Sequence, residues 1–126
     1  MKKIYVLSFL LLSLFGYSQE YSYIDFGQQG AKETSGNWNN VTSTSNNQQG
    51  ISVDLINDKN VSTGVTLSVD DPFDTVNTDG TTHAANSVPF PANATSDSFF
   101  GETVAYGDNT QSQPTGGFVL KGLKAN

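Results

Sequence analysis

Residues 51–70 read ISVDLINDKNVSTGVTLSVD. Ile51, Val53 and Leu55 alternate with Ser52 and Asp54. After Asn57-Asp58-Lys59-Asn60, residues Val61, Val65, Leu67 and Val69 alternate with Ser62, Gly64, Thr66 and Ser68. A period of two makes a strand with one buried and one wet face. Two such runs joined by a short Asn/Asp-rich link make an antiparallel hairpin. The odd-numbered side chains Ile51, Val53, Leu55, Val61, Val65, Leu67 and Val69 are expected in the core.

On both sides of this hairpin the chain offers more short strands and no amphipathic helix. Residues 21–27, YSYIDFG, carry apolar side chains on both faces, Tyr21 and Tyr23 against Ile24 and Phe26, as in a first strand covered on both sides. Ser35-Gly36-Asn37 reads as a turn and Trp38-Asn39-Asn40-Val41-Thr42 as a short strand. Residues 70–95 hold Pro72, Pro89, Pro91 and Gly80 among many Asn, Asp and Thr residues, which predicts a long loop without strand or helix. Ser98-Phe99-Phe100 and Val104-Ala105-Tyr106 are short apolar segments, and Gly117-Phe118-Val119-Leu120-Lys121 is a closing strand. Turn signals at such intervals predict an all-β domain, an antiparallel β-sandwich or jelly roll.

The first 18 residues are read as an export signal forming a helix: Lys2 and Lys3, an apolar run from Ile4 to Phe15, then Gly16-Tyr17-Ser18 before Gln19. The run is too short for a membrane anchor, which needs about 20 apolar residues. Residues 19–126 then form one small domain, exported and extracellular. Without cysteine there is neither a disulfide framework nor a lipid attachment site. Four lysines stand against 12 acidic residues in 19–126, a formal charge of −8, and there is no arginine. Nucleic acids and anionic lipids are bound through clustered Lys and Arg, so both are poor partners for this chain. An acidic surface rich in Asn, Thr and Ser suits hydroxyl-rich ligands or calcium.

The order of motifs resembles a known family. Tyr23-Ile24-Asp25-Phe26-Gly27, Asn37-Trp38-Asn39-Asn40-Val41, Leu55-Ile56-Asn57-Asp58, Thr63-Gly64-Val65-Thr66-Leu67, Ser96-Asp97-Ser98-Phe99-Phe100-Gly101 and Phe118-Val119-Leu120-Lys121-Gly122-Leu123 follow one another. This is similar to galactose-binding-like β-sandwich modules of secreted bacterial proteins, which often also bear a C-terminal sorting domain. The resemblance implies the architecture of many carbohydrate-binding modules. In that architecture a further strand follows the Gly-Leu turn, whereas here Lys124-Ala125-Asn126 ends the chain. The sequence is therefore expected to be a fragment of a longer protein, the missing last strand leaving an unpaired edge.

Candidate chemistry is of three kinds. Sugar binding needs an aromatic platform beside amides and carboxylates, because pyranose rings present apolar faces ringed by hydroxyls. Trp38 with Asn39 and Asn40 meets this need, and Tyr106 with Asp108 and Asn109 is a second platform. Trp38 reads equally well as a core or loop-anchoring side chain. Calcium takes hard oxygen ligands, and Asp70, Asp71, Asp74, Asn77 and Asp79 gather such ligands in one segment before Gly80. The spacing is not that of an EF-hand, and a merely solvated acidic turn is the plainer reading. Catalysis has little to stand on: His83 is the only histidine, and there is no cysteine nucleophile or Gly-x-Ser-x-Gly elbow. The expected function is a secreted, non-catalytic, carbohydrate-binding module of a larger extracellular protein, with no membrane span after signal cleavage. The alternatives are a structural or adhesive module without a small ligand, and the accessory domain of a secreted hydrolase.

Overall fold

The computed structural model describes residues 19–43, 48, 50–81, 90–101 and 115–124. The export signal read in residues 1–18 lies outside them. The described residues form seven strands and one turn of 3₁₀ helix, Asn93–Thr95. They are β1 (Tyr23–Gln28), β2 (Trp38–Ser43), β3 (Ser52–Ile56), β4 (Ser62–Asp71), β5 (Thr75–Asn77), β6 (Ser98–Phe100) and β7 (Gly117–Lys121). The protein is all-β, as its periodicity dictates. Among the described residues no helix is long and apolar enough to cross a membrane.

The hairpin stands where the alternation puts it. β3 and β4 pair antiparallel, with Ser52 opposite Ser68, Val53 opposite Leu67 and Asp54 opposite Thr66. On the wet face Ser52 and Ser68 hydroxyls meet at 3.2 Å, and the Thr66 hydroxyl donates to Asp54 Oδ1 at 2.6 Å. The turn is built by Asn57, whose Oδ1 accepts the Lys59 and Val61 N–H groups at 3.0 and 2.9 Å. Asn60 sits at φ 61, a left-handed conformation that asparagine tolerates better than most residues. Between Asp54 and Ile56 the register shifts, and Gly64 on the bulged side of β4 takes φ 71.

The core consists of Val41, Leu55, Leu67 and Val69, with Ile24, Phe26, Ile51, Val53, Val65, Phe73 and Phe99 packed on it. Six of the seven odd-numbered hairpin side chains belong to this cluster. Val61 does not; it is 56% exposed. Its N–H bonds the Asn57 side chain and its carbonyl accepts the Asn57 N–H at 2.9 Å, so it belongs to the turn and lies beyond the end of the core.

Two expectations are corrected. The pairing is not antiparallel throughout: β1 and β2 run parallel, with Tyr23 opposite Trp38, Asp25 opposite Asn40 and Phe26 opposite Val41. Parallel neighbours usually need a crossover of a dozen or more residues. Here residues 29–37 suffice, because the link is held by its own bonds, from Gln29 N–H to Ser43 O at 3.1 Å and from Glu33 N–H to Gly30 O at 3.1 Å. Nor is the segment after Asp70 free of regular structure. β5 pairs antiparallel with β6, Val76 opposite Phe99, and residues 93–95 form the 3₁₀ turn. Three-residue strands carry too little alternation to be seen beside prolines and glycines.

β4 also pairs antiparallel with β7, which makes the sheet order β3-β4-β7. β7 is the outer strand of this sheet among the described residues, with Phe118 50%, Val119 38% and Leu120 37% exposed. The face of the β1–β2 pair carrying Ile24, Phe26 and Val41 packs on the hairpin. The opposite face, with Tyr23, Asp25 and Gly27 beside Trp38, Asn40 and Thr42, is covered in part by residues 29–37.

Candidate functional site

The N-terminal ends of β1 and β2 are fixed against the hairpin turn by polar bonds, and this places an aromatic shelf there. Asp58 N–H donates to Tyr21 O at 2.7 Å, and Asn37 Nδ2 donates to Asp58 O at 2.9 Å. Buried Asn39 makes three bonds: its Nδ2 donates to Tyr23 O at 2.9 Å and Ile56 O at 3.0 Å, and its Oδ1 accepts Ile56 N–H at 2.8 Å. One side-chain amide thus acts as a strand segment joining β1, β2 and β3.

On this base four rings lie in sequence. Tyr21 and Tyr23 stack with centroids 6.5 Å apart and planes 5° apart. Tyr23 stacks on Trp38 at 5.2 Å and 28°, and Trp38 meets Phe90 edge to face at 6.3 Å and 80°. Tyr21 is 48%, Tyr23 38% and Phe90 50% exposed, whereas Trp38 is half-buried between its neighbours. A cleft of about 280 Å³ opens beside them, lined by Ile24, Trp38, Phe90, Ala94 and Thr95. The 3₁₀ turn that carries Ala94 and Thr95 is tied down by Asn93 Nδ2, which donates to Glu33 O at 3.1 Å.

The structure separates the sequence-derived candidates. Trp38 stands in the shelf between Tyr23 and Phe90 and lines the cleft. Asn39 and Asn40 serve the fold. The Asn40 side chain pairs with the backbone of Thr34, accepting its N–H at 2.9 Å and donating to its carbonyl at 3.0 Å. Tyr106, Asp108, Asn109 and His83 lie outside the described residues. Tyr21, Tyr23 and Phe90 were not singled out by sequence. The signals for them were the Tyr-x-Tyr spacing on one strand face and a phenylalanine between Pro89 and Pro91.

The acidic segment is spread out. Asp70 and Asp71 are exposed at the end of β4, Asp74 is buried, Asn77 lies in β5 with Oδ1 accepting Asp79 N–H at 3.1 Å, and Asp79 is exposed. Among the described residues no three His, Cys, Asp or Glu side chains gather in a metal-binding group.

A second polar centre lies farther along the face of β1 that carries Tyr23. Asp25 is 3% and Asp97 5% exposed. Asp25 Oδ2 accepts Thr34 N–H at 3.2 Å, and Asp97 Oδ2 accepts Gln28 N–H at 2.6 Å. Burial raises the Asp25 carboxyl above its ordinary 3.8; neighbouring Thr34 opposes the shift, and the charges of Asp97 and Glu33 add to it. The folded state therefore holds a proton on Asp25 in a window that opens at the ordinary value and closes at the raised one. There the unfolded chain binds fewer protons, so stability falls as pH rises through the window. In metal-free buffer, urea unfolding as a function of pH is expected to show this loss in the wild type and a smaller one in Asp25→Asn. Parallel curves for the two proteins would contradict it.

No protein-family model, curated protein or solved structure matches this chain.

Proposed function

We propose that the protein is a secreted, non-catalytic module that binds carbohydrate through the shelf formed by Tyr21, Tyr23, Trp38 and Phe90. The observation that carries this reading is the row of solvent-facing rings beside a cleft, braced by backbone bonds to a rigid hairpin. Aromatic faces match the apolar faces of pyranose rings, and rings held by packing lose little freedom on binding. Carbonyl and hydroxyl groups at the rim supply the directional bonds that a sugar needs. Thr95, on the 3₁₀ turn that lines the cleft, carries one such hydroxyl.

The rest of the reading extends the resemblance of the motifs. The two strand groups sharing the core belong to a galactose-binding-like β-sandwich, residues 1–18 are a cleavable export signal, and the module belongs to a larger extracellular protein of a bacterium. A bound calcium, suggested by the acidic composition, would be structural.

Affinity electrophoresis in gels containing soluble polysaccharides tests the sugar site. The wild type is expected to be retarded by at least one polysaccharide. Tyr23→Ala and Phe90→Ala each weaken that retardation about tenfold, since a stacked ring contributes ~1 kcal/mol or more. Phe118→Ser, on β7, leaves it unchanged. Retardation by none of the gels would sink the reading.

A second reading is favoured by the exposed apolar side chains of β7. Phe118 and Leu120 on an outer strand suit an adhesive or structural module that contacts another protein through its sheet edge. In that case Phe118→Ser would abolish the contact and the shelf variants would not.

A further inference from the structure

Three buried oxygens with no hydrogen-bond partner come from three separate parts of the chain: Asp25 Oδ1 in β1, Thr34 Oγ1 in the crossover, and Asp97 Oδ1 just before β6. Thr34 is 2% exposed, as deeply buried as the two carboxylates. Native proteins rarely leave such atoms unmatched, because an unpaired buried carboxylate oxygen carries its full desolvation penalty.

Their placement follows from the strand. Asp25 and Gly27 lie two residues apart on one face of β1, about 7 Å along the strand. The Asp97 carboxylate rests against the Gly27 Cα at the place a side chain would occupy, so any Cβ there would collide with it. Glycine at 27 thus makes the cradle that lets a second carboxylate approach the first. Thr34 is held over Asp25 by its N–H, which reaches both Asp25 Oδ2 and Asn40 Oδ1. Neighbouring Lys32 directs its ammonium to the Thr78 carbonyl and to the Ser96 carbonyl at 3.4 Å. Glu33, adjacent to Thr34, adds further negative potential at Asp25.

We infer that Asp25, Thr34 and Asp97 hold a hard divalent cation of the calcium class, bridging β1, the crossover and the segment before β6. Two carboxylates and a hydroxyl, without nitrogen or sulfur donors, are the ligand chemistry of calcium, whose flexible coordination is completed by carbonyls and water. Magnesium, which keeps most of its own water in a tight octahedron, suits so buried a set less well. This site differs from the acidic segment 70–79 and is independent of the sugar-binding reading.

Isothermal titration calorimetry with calcium chloride on the full chain, paired with thermal melts in millimolar calcium and in chelator, tests the inference without any glycan. The wild type is expected to bind one calcium and to melt roughly 5 °C or more higher in calcium than in chelator. Asp97→Asn removes the binding heat. Thr34→Val, which removes an oxygen but no charge, weakens affinity about tenfold. A triple change of Asp70, Asp71 and Asp79 to Asn leaves both readouts as in the wild type. Equal melting in calcium and chelator with no binding heat would overturn the inference. A calcium response that survives Asp97→Asn and Thr34→Val, or that vanishes with the triple change, would also overturn it.

Discussion

Asn39→Ala is expected to destabilise the protein by about 3 kcal/mol or more and to lower its melting temperature by roughly 12–24 °C. The size follows from what the substitution leaves behind. The Ile56 N–H and the Ile56 and Tyr23 carbonyls each lose a partner at 2.8–3.0 Å at a position the side chain keeps dry. Each buried backbone group without a partner costs about 1–3 kcal/mol, several times the net worth of the bond. Volume is not the issue, so Asn39→Leu should fail as badly as Asn39→Ala. Asn39→Asp keeps the acceptor but sets a carboxylate against two carbonyls, and should be no better. Urea denaturation of the variants decides the point. A loss below about 1 kcal/mol in either the Ala or the Leu variant would show that β1, β2 and β3 are held together by something other than this amide.

Leu67→Ala is expected to cost about 3–4 kcal/mol, within the usual range for truncating a core leucine. Leu67 is fully buried at the middle of β4, opposite Val53 on one side and Leu120 on the other, in the cluster with Val41, Leu55 and Val69. Strands on both sides fix the backbone, so the site cannot collapse to fill the space. Val61→Ala, on the same sequence parity but 56% exposed, should change stability by less than about 0.5 kcal/mol. Comparable losses at the two positions, in urea or thermal unfolding, would mean that the core does not sit where this hairpin puts it.

The contrast between these two positions shows how far the sequence could be read. Alternation named six core side chains of the hairpin correctly because burial on one face of a strand imposes that period. It misplaced Val61 because the turn, held by the Asn57 side chain, ends one residue later than the pattern suggests. The direction of β1 against β2 was not legible: it is set by hydrogen bonds of residues 29–37, and a run of polar residues carries no periodicity to announce them. β5 was hidden for a different reason, since three residues between Pro72 and Gly80 cannot display a period of two.

The candidate site was legible in kind more than in membership. Trp38 stood out as the only tryptophan, beside amides. Its asparagine neighbours looked like ligand groups because their chemistry is the same whether they bond to a sugar or to the backbone. Only geometry distinguishes the two uses, and it gives Asn39 to Ile56 and Tyr23, and Asn40 to Thr34. The ring partners of Trp38 are 15 and 52 positions away in sequence, at Tyr23 and Phe90. Asp25 and Asp97 are farther apart still, and no local spacing could have joined them. The crowded acidic run after Val69 attracted notice for its density, yet the chain spreads those side chains between solvent, a buried position and β5.

Because Trp38 is the only tryptophan and stands in the middle of the shelf, its fluorescence reports on the proposed sugar site with no other tryptophan to interfere. Titration of the protein with a panel of soluble polysaccharides therefore tests whether the shelf binds sugar. A saturable shift or quench of Trp38 emission with at least one of them is expected, weakened about tenfold in Tyr23→Ala and Phe90→Ala. An emission spectrum unchanged by every polysaccharide in the panel, from a protein that remains folded, would contradict it.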